Sequence, residues 1–216
     1  PHNFPFFCYN NTMVEQTGNL FEQTNTVICV TTNGYVNASG YAEPKSETAS
    51  QAYQIWPGIS SSLGENIRRE GSICQVVLTH YSNRIPLTVV SFPTKPGRFF
   101  QKDTSLPYLP GWTGPANLDI IRHSAEELVE LTTKMKWDIV YLPRVGCGSG
   151  DLKWKEVKKT ISGVLDDRFI VLRLNKKQKS VKDSLAIGPA GNTSETGFLP
   201  TQGISHIFAI TEPYMY

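Results

Sequence analysis

Five short apolar runs constrain this chain most: "TVICVT" (26–31), "ICQVVLT" (73–79), "LTVVSF" (87–92), "IVYLP" (139–143) and "RFIVLRL" (168–174). None alternates cleanly between apolar and polar residues. A strand that is apolar on both sides needs cover on both faces, as in a parallel sheet sandwiched between helices. Helical segments fall between the runs. "SSLGENIRREG" (61–71) ends on Gly71, a C-terminal stop. In "NLDIIRHSAEELVELTTKMK" (117–136), Leu118, Ile121, Ala125, Leu128, Thr132 and Met135 step along one face, and Asn117 can cap the start. "DLKWKEVKKTISGVLDD" (151–167) groups Trp154, Val157, Ile161 and Val164 opposite its lysines, with Asp151 as a capping residue. The alternation predicts a layered α/β fold with a mainly parallel sheet. Ligands then bind beyond the carboxyl ends of strands, where loops enter helices.

The composition narrows the function. With 21 basic and 19 acidic residues the formal net charge is +2, which argues against a nucleic-acid-coating protein. No apolar run approaches the ~18 residues of a membrane span. "NFPFFCY" lacks the basic flank and cleavage site of a signal peptide. Cys8, Cys29, Cys74 and Cys147 are far apart and form no CxxC pair, so they read as reduced thiols in a cytoplasmic setting. His2, His80, His123 and His206 have no metal-ligand spacing, so neither a metal nor a cofactor is expected. Residues 93–116, rich in proline, glycine and aromatic rings, read as a long structured loop, either a surface insertion or a lid. Residues 1–12 read as an extension and 175–216 as an appendage, with "ISHIFAIT" (204–211) as a candidate added strand.

The segment "VYLPRVGCGSGDLKW" (140–154) places Gly146, Gly148 and Gly150 between a strand and a helix. Such a loop offers bare backbone N–H groups to an anion, and a following helix adds positive potential. It is not a Walker A loop, because no Lys-Ser or Lys-Thr follows. It is not a Rossmann loop, because Asp151 stands where the third glycine is required. It is not a nucleophile elbow, because Cys147 and Asp151 flank Ser149 where glycines belong. A tight turn needing positive φ is the competing reading, but three glycines exceed what a turn needs.

"LPRVGCGSGDLKWKEVKKTISGVLDDRFIVL" resembles the second ligand loop and following helix of macro domains, closest to small bacterial and phage members related to ADP-ribose-1″-phosphate phosphatases. "TGNLFE" (17–22), "VTTNG" (30–34), "WPGISSSLG" (56–64), "VSFPTK" (90–95) and "NLDIIRHSAEELVEL" match in order, so the resemblance spans 13–174. It implies a three-layer α/β/α macro domain with a mixed, mainly parallel sheet. It also implies binding of ADP-ribose or a related NAD-derived nucleotide. Gly146, Cys147, Gly148, Ser149 and Gly150 would face the phosphates, with Asn19 and Leu20 beside the adenine and Asn33 beside the distal ribose. Asn37 is a weaker candidate of the same kind. Asn33 also reads as half of an Asn-Gly turn, and Cys147 as a small buried thiol rather than a nucleophile.

Two features depart from the family pattern. "AEPKSETA" (42–49) stands where relatives carry a glycine-rich first loop. Pro44 has no N–H, Glu43 and Glu47 would repel a diphosphate unless turned outward, and Lys45 can supply a positive charge instead. Asn19 replaces the family's acidic residue. The expectation is a nucleotide binder that recognises ADP-ribosylated protein or sequesters a nucleotide signal, with weak or absent hydrolase activity. The alternatives are a hydrolase of ADP-ribose-1″-phosphate or ADP-ribosylated substrates, and a non-binding scaffold.

Overall fold

The structure is a computed structural model and describes residues 12–82, 84–99, 109–110 and 113–174. The expected residues 204–211 strand, most of the 1–12 extension, the 175–216 appendage, Cys8, His2 and His206 lie outside the described residues.

Among the described residues the strands are β1 (Val14–Thr17), β2 (Thr26–Asn33), β3 (Val76–Ser82), β4 (Ile85–Lys95), β5 (Arg98–Phe99), β6 (Leu109–Pro110), β7 (Val140–Pro143) and β8 (Phe169–Arg173). The α-helices among the same residues are α1 (Glu47–Ile55), α2 (Ile59–Glu70), α3 (Leu118–Met135) and α4 (Trp154–Ile161). Six strands build the main sheet in the order β1-β8-β7-β2-β4-β3. All neighbours run parallel except β3, which returns antiparallel along β4. The short pair β5–β6 closes part of the 93–116 stretch as an antiparallel ribbon.

Each central strand feeds two cores, because successive side chains point to opposite faces. On one face Val27, Cys29, Phe92, Val140, Leu142, Phe169 and Val171 pack with Ile121, Ala125 and Leu128 of α3 and Val157 and Ile161 of α4. On the other, Ile28, Val30, Val89, Ile170 and Leu172 pack with Ala49 and Ala52 of α1 and Ile59 of α2. The result is the three-layer α/β/α arrangement.

Four local outcomes differ from the sequence reading. Met135 is 48% exposed, since α3 ends there and Lys136 adopts a left-handed cap. The helix expected over 151–167 is confined to Trp154–Ile161. Asp151 does not cap it: the residue takes φ +58, its N–H donates to Gly148 O, and Lys153 holds the N-cap position. The rewritten first loop, read over 42–49, gives up its last three residues to α1, which begins at Glu47. Ser46 accepts the Ala49 N–H there and starts the helix.

One contact predicts its own effect. Gly64 of α2 lies against the backbone of Gly40, where an added β-carbon would sit 2.0 Å from the Gly40 carbonyl oxygen. Helix propensity alone favours Gly64→Ala by ~1 kcal/mol. Overlap with backbone reverses the sign, and the expected net loss is about 1–3 kcal/mol, read as a lowered urea midpoint.

Candidate functional site: the carboxyl ends of β2, β4 and β7

β2, β4 and β7 are adjacent and parallel, so their carboxyl ends open on one rim. The chain leaves β2 toward α1 and α2 on one face and leaves β7 toward α4 on the other. A crevice where successive connections diverge in this way is where ligands bind in open α/β sheets.

The loop after β7 lines that crevice. Gly146 is buried with φ +72, and an added β-carbon would lie 2.8 Å from Ile121 Cδ1. Gly150 is also buried; a β-carbon there would lie 2.5 Å from Gly146 O and 2.7 Å from Ala116 Cβ. These two glycines are demanded by packing. Gly148 is not: it is exposed, and a β-carbon there meets no heavy atom within 4 Å. The loop is tied by Leu152 N–H to Gly146 O and by Asp151 N–H to Gly148 O, each 3.1 Å. Ala116 N–H donates to Gly150 O at 3.0 Å. The Cys147 N–H is used by the turn, donating to Arg144 O at 3.3 Å. Among the described residues, the N–H groups of Gly146, Gly148, Ser149 and Gly150 meet no protein acceptor, nor does the Ser149 hydroxyl. The loop does not run straight into a helix, so its attraction for anions rests on these amides more than on the α4 dipole.

A cation stands beside them. Lys95 ends β4, is 7% exposed, and donates from Nζ to Ser149 O at 2.7 Å. Burial pulls its pKa down, and the nearby Asp151 carboxylate opposes that shift. β4 pairs with β2 so that Lys95 faces Asn33 across a register shift at Thr32/Asn33. Just beyond, Gly34 and Gly97 touch at backbone level: a β-carbon on Gly97 would lie 2.6 Å from Gly34 O. In the sequence, "VSFPTK" carries the family resemblance but assigns Lys95 no role. The available signal was a cation closing an apolar strand on the ligand side of the sheet.

The loop after β2 is arranged otherwise. Asn33, 6% exposed, accepts the Tyr35 N–H at 2.9 Å and donates to Glu43 O at 3.2 Å. Asn37 accepts the Tyr41 N–H at 3.0 Å and donates to Glu43 Oε1 at 2.9 Å. The N–H groups of Tyr35, Asn37, Gly40, Tyr41, Ala42, Glu43 and Lys45 all donate within the protein. Lys45 pairs with Glu43 at 3.6 Å, and Glu47 lies in the exposed first turn of α1. Below, Ser46, Thr31 and Thr48 share hydroxyl contacts of 2.7–3.3 Å, and Ser46 also donates to Thr31 O. Most of the first loop's amides are thus engaged within the protein, while four of the second loop's are not.

No family model and no curated relative matches the chain. Solved structures do. The macrodomain of Mycobacterium tuberculosis DarG matches with TM-score 0.53 at 16% identity, covering 74% of this chain and 96% of that one. The macrodomain of Thermus aquaticus DarG gives TM-score 0.51 at 18% identity, with coverage of 74% and 96%. Thermosipho africanus DarTG, solved in complex with ADP-ribose, gives TM-score 0.55 at 15% identity and covers 77% of this chain and 42% of that one. The fold is that of the macrodomains.

In this fold β1 runs parallel to β8 and β8 to β7, so the turn after β1 opens on the same rim, two strand spacings from the glycine loop, about 10 Å. Asn19 and Leu20 sit in that turn. Asn19 Oδ1 accepts the Phe21 N–H at 3.1 Å, and its Nδ2 donates to Glu22 at 3.0 Å, capping the short 3-10 helix Leu20–Glu22. Leu20 is buried. Phe21 and Trp56 rings tilt together at 6.2 Å, and Trp56 and His80 at the same separation. His123 is exposed on α3 beside Glu126 and Glu127. Cys147 is half-buried, its thiol donating to Val145 O at 3.4 Å. Burial pushes that thiol pKa up against the pull of Arg144, which suits a structural thiol rather than a nucleophile. Among the described residues no cluster of metal-ligand type occurs, and no helix is long and apolar enough to cross a membrane.

Proposed function

We propose that this macrodomain binds ADP-ribose or a related NAD-derived nucleotide, with the diphosphate on the amides of Gly146, Gly148, Ser149 and Gly150. One observation carries the reading. Four of the loop's amides lack protein acceptors among the described residues, and the Lys95 ammonium is held against the same loop. Open backbone amides beside a cation are the physical requirement of a phosphate cradle. The ADP-ribose present in the T. africanus DarTG structure supports the ligand class. Asn19 and Leu20 then lie at the adenine end, and Asn33, Asn37 and Lys45 at the far end, where their side chains are engaged in shaping the first loop. In a cell the binder would recognise ADP-ribosylated protein or sequester a nucleotide signal. Calorimetric titration with ADP-ribose tests the reading: saturable one-to-one binding is expected, and a flat titration removes it in favour of the scaffold.

Lys95 favours a second reading. A buried lysine whose pKa is lowered, close to the Asp151 carboxylate, can act as a base or an amine nucleophile. Hydrolysis of ADP-ribose-1″-phosphate or of an ADP-ribosylated substrate therefore remains chemically reachable even with the first loop rewritten. Incubation with either substrate should release ADP-ribose from wild type and not from Lys95→Ala.

A further inference from the structure

We propose that Glu15 is a positioning residue for the glycine loop: one carboxylate on the edge strand β1 holds both ends of the 144–154 segment. Its consequence for ligand rests on the nucleotide reading above; its consequence for the loop does not. Arg144 and Trp154 bracket the loop in the chain, and both donate to Glu15 Oε2, at 3.0 and 2.9 Å. Lys158, one turn along α4, donates to Oε1 at 2.6 Å. The Arg144 guanidinium also lies 5.0 Å from the centre of the Trp154 ring. Arg144 in turn offers its carbonyl to the Cys147 N–H, the first bond of the loop's turn.

The four β1 residues are all exposed, so packing does not explain why a carboxylate stands there. Three charge-assisted or indole hydrogen bonds meeting on one carboxylate set direction as well as distance. They join segments 129–143 residues apart in the chain. The Lys158 hydrogen bond is the largest influence on the Glu15 pKa and lowers it. Burial opposes this, and Arg144 and Trp154 add to the lowering. Arg173 of β8 pairs with Thr17, two register positions beyond the Glu15–Val171 pair. Because the folded pKa is lowered, the brace is complete above the ordinary value of 4.5 and is lost as pH falls through the folded value.

The test compares wild type, Glu15→Gln, Glu15→Ala and a control, Ile28→Val, which thins the core behind the opposite face of the sheet. Amide exchange of Cys147, Asp151 and Leu152, which donate within the loop, is followed by NMR in the free protein. In Glu15→Ala these amides should exchange about tenfold faster than in the control at matched global stability, the size of one lost hydrogen bond to a charged group. Glu15→Gln, which keeps an acceptor oxygen, should fall between. The Trp154 indole N–H resonance should move in wild type as pH drops below 4.5 and stay fixed in Glu15→Gln. ADP-ribose affinity of Glu15→Ala should fall about tenfold. Lys158→Met, which removes one arm only, should show a smaller change of the same sign and serves if Glu15→Ala does not fold. Exchange rates equal to the control would overturn the proposal. Should wild type not bind ADP-ribose while Glu15→Ala still loosens the three amides, the nucleotide reading fails and the positioning role stands.

Discussion

Gly148→Glu is expected to abolish ADP-ribose binding while leaving the fold untouched. The position is exposed and a β-carbon there meets no heavy atom within 4 Å, so the substitution is tolerated sterically. Its stability effect should stay within about 0.5 kcal/mol, as for an ordinary surface change. The new carboxylate, however, enters the arc of open amides where the diphosphate would lie. Repulsion and steric blockage together should weaken binding at least ~100-fold, or about 2.7 kcal/mol. Calorimetry and a thermal melt on the same sample read both halves. Gly150→Ala is the opposite case. Its β-carbon would approach Gly146 O to 2.5 Å, so stability should drop by about 1–3 kcal/mol. Unchanged affinity in folded Gly148→Glu would take the loop out of the binding site.

Lys95→Met should show the second large effect. The change preserves length and apolar stem but removes the ammonium beside Ser149 O. Losing a hydrogen bond to a charged group costs about 1.5–3 kcal/mol, so affinity should fall roughly 10- to 150-fold. The pH dependence separates charge from packing. Burial holds the Lys95 pKa below 10.5, so wild-type affinity should decline as pH rises through that lowered value, and Lys95→Met should be flat. Folding shows the other sign. Between the lowered folded pKa and 10.5 the unfolded chain binds more protons, so wild-type stability should rise with pH relative to the variant across that window. Titrations and urea melts between pH 7 and 10.5 check both. A pH-independent wild-type affinity would show that Lys95 does not meet the anion.

The parts of the fold legible in the sequence were those whose apolar pattern is strong. β2, β7, β8 and α3 appear nearly as read, because each buries residues on faces that periodicity reveals. β1 escaped because all four of its residues are exposed and pattern analysis has nothing to detect. The start of α1 escaped because the helix buries only Ala49 and Ala52, and because "AEPKSETA" aligns with the glycine-rich first loop of the family it resembles. The strand read at 73–79 begins at Val76, since Cys74 turns its thiol to Ser124 O and Gln75 bonds to Ser91 across an irregular entry.

In the site, the glycine spacing announced the second loop, and the structure divides its glycines between packing and open space. Lys95 could not be weighted from sequence, because its meaning depends on β4 lying two strands from β7. Glu15 could not be paired with Arg144, Trp154 and Lys158 either, since no short-range pattern links residues so far apart. Asn33 and Asn37 were open between turn and ligand roles. The hydrogen bonds they make engage them first in the turn, leaving the ligand role to experiment.

The backbone contact of Gly34 with Gly97 has a consequence for how such a chain can diverge. Any β-carbon at either position would force the strand-exit segments apart, carrying Asn33 and Lys95 out of their shared register. Drift at one site is thus vetoed by the other. The rim can change its chemistry at Asn37, Lys45 or Ser149, where side chains reach solvent, far more readily than it can change its width.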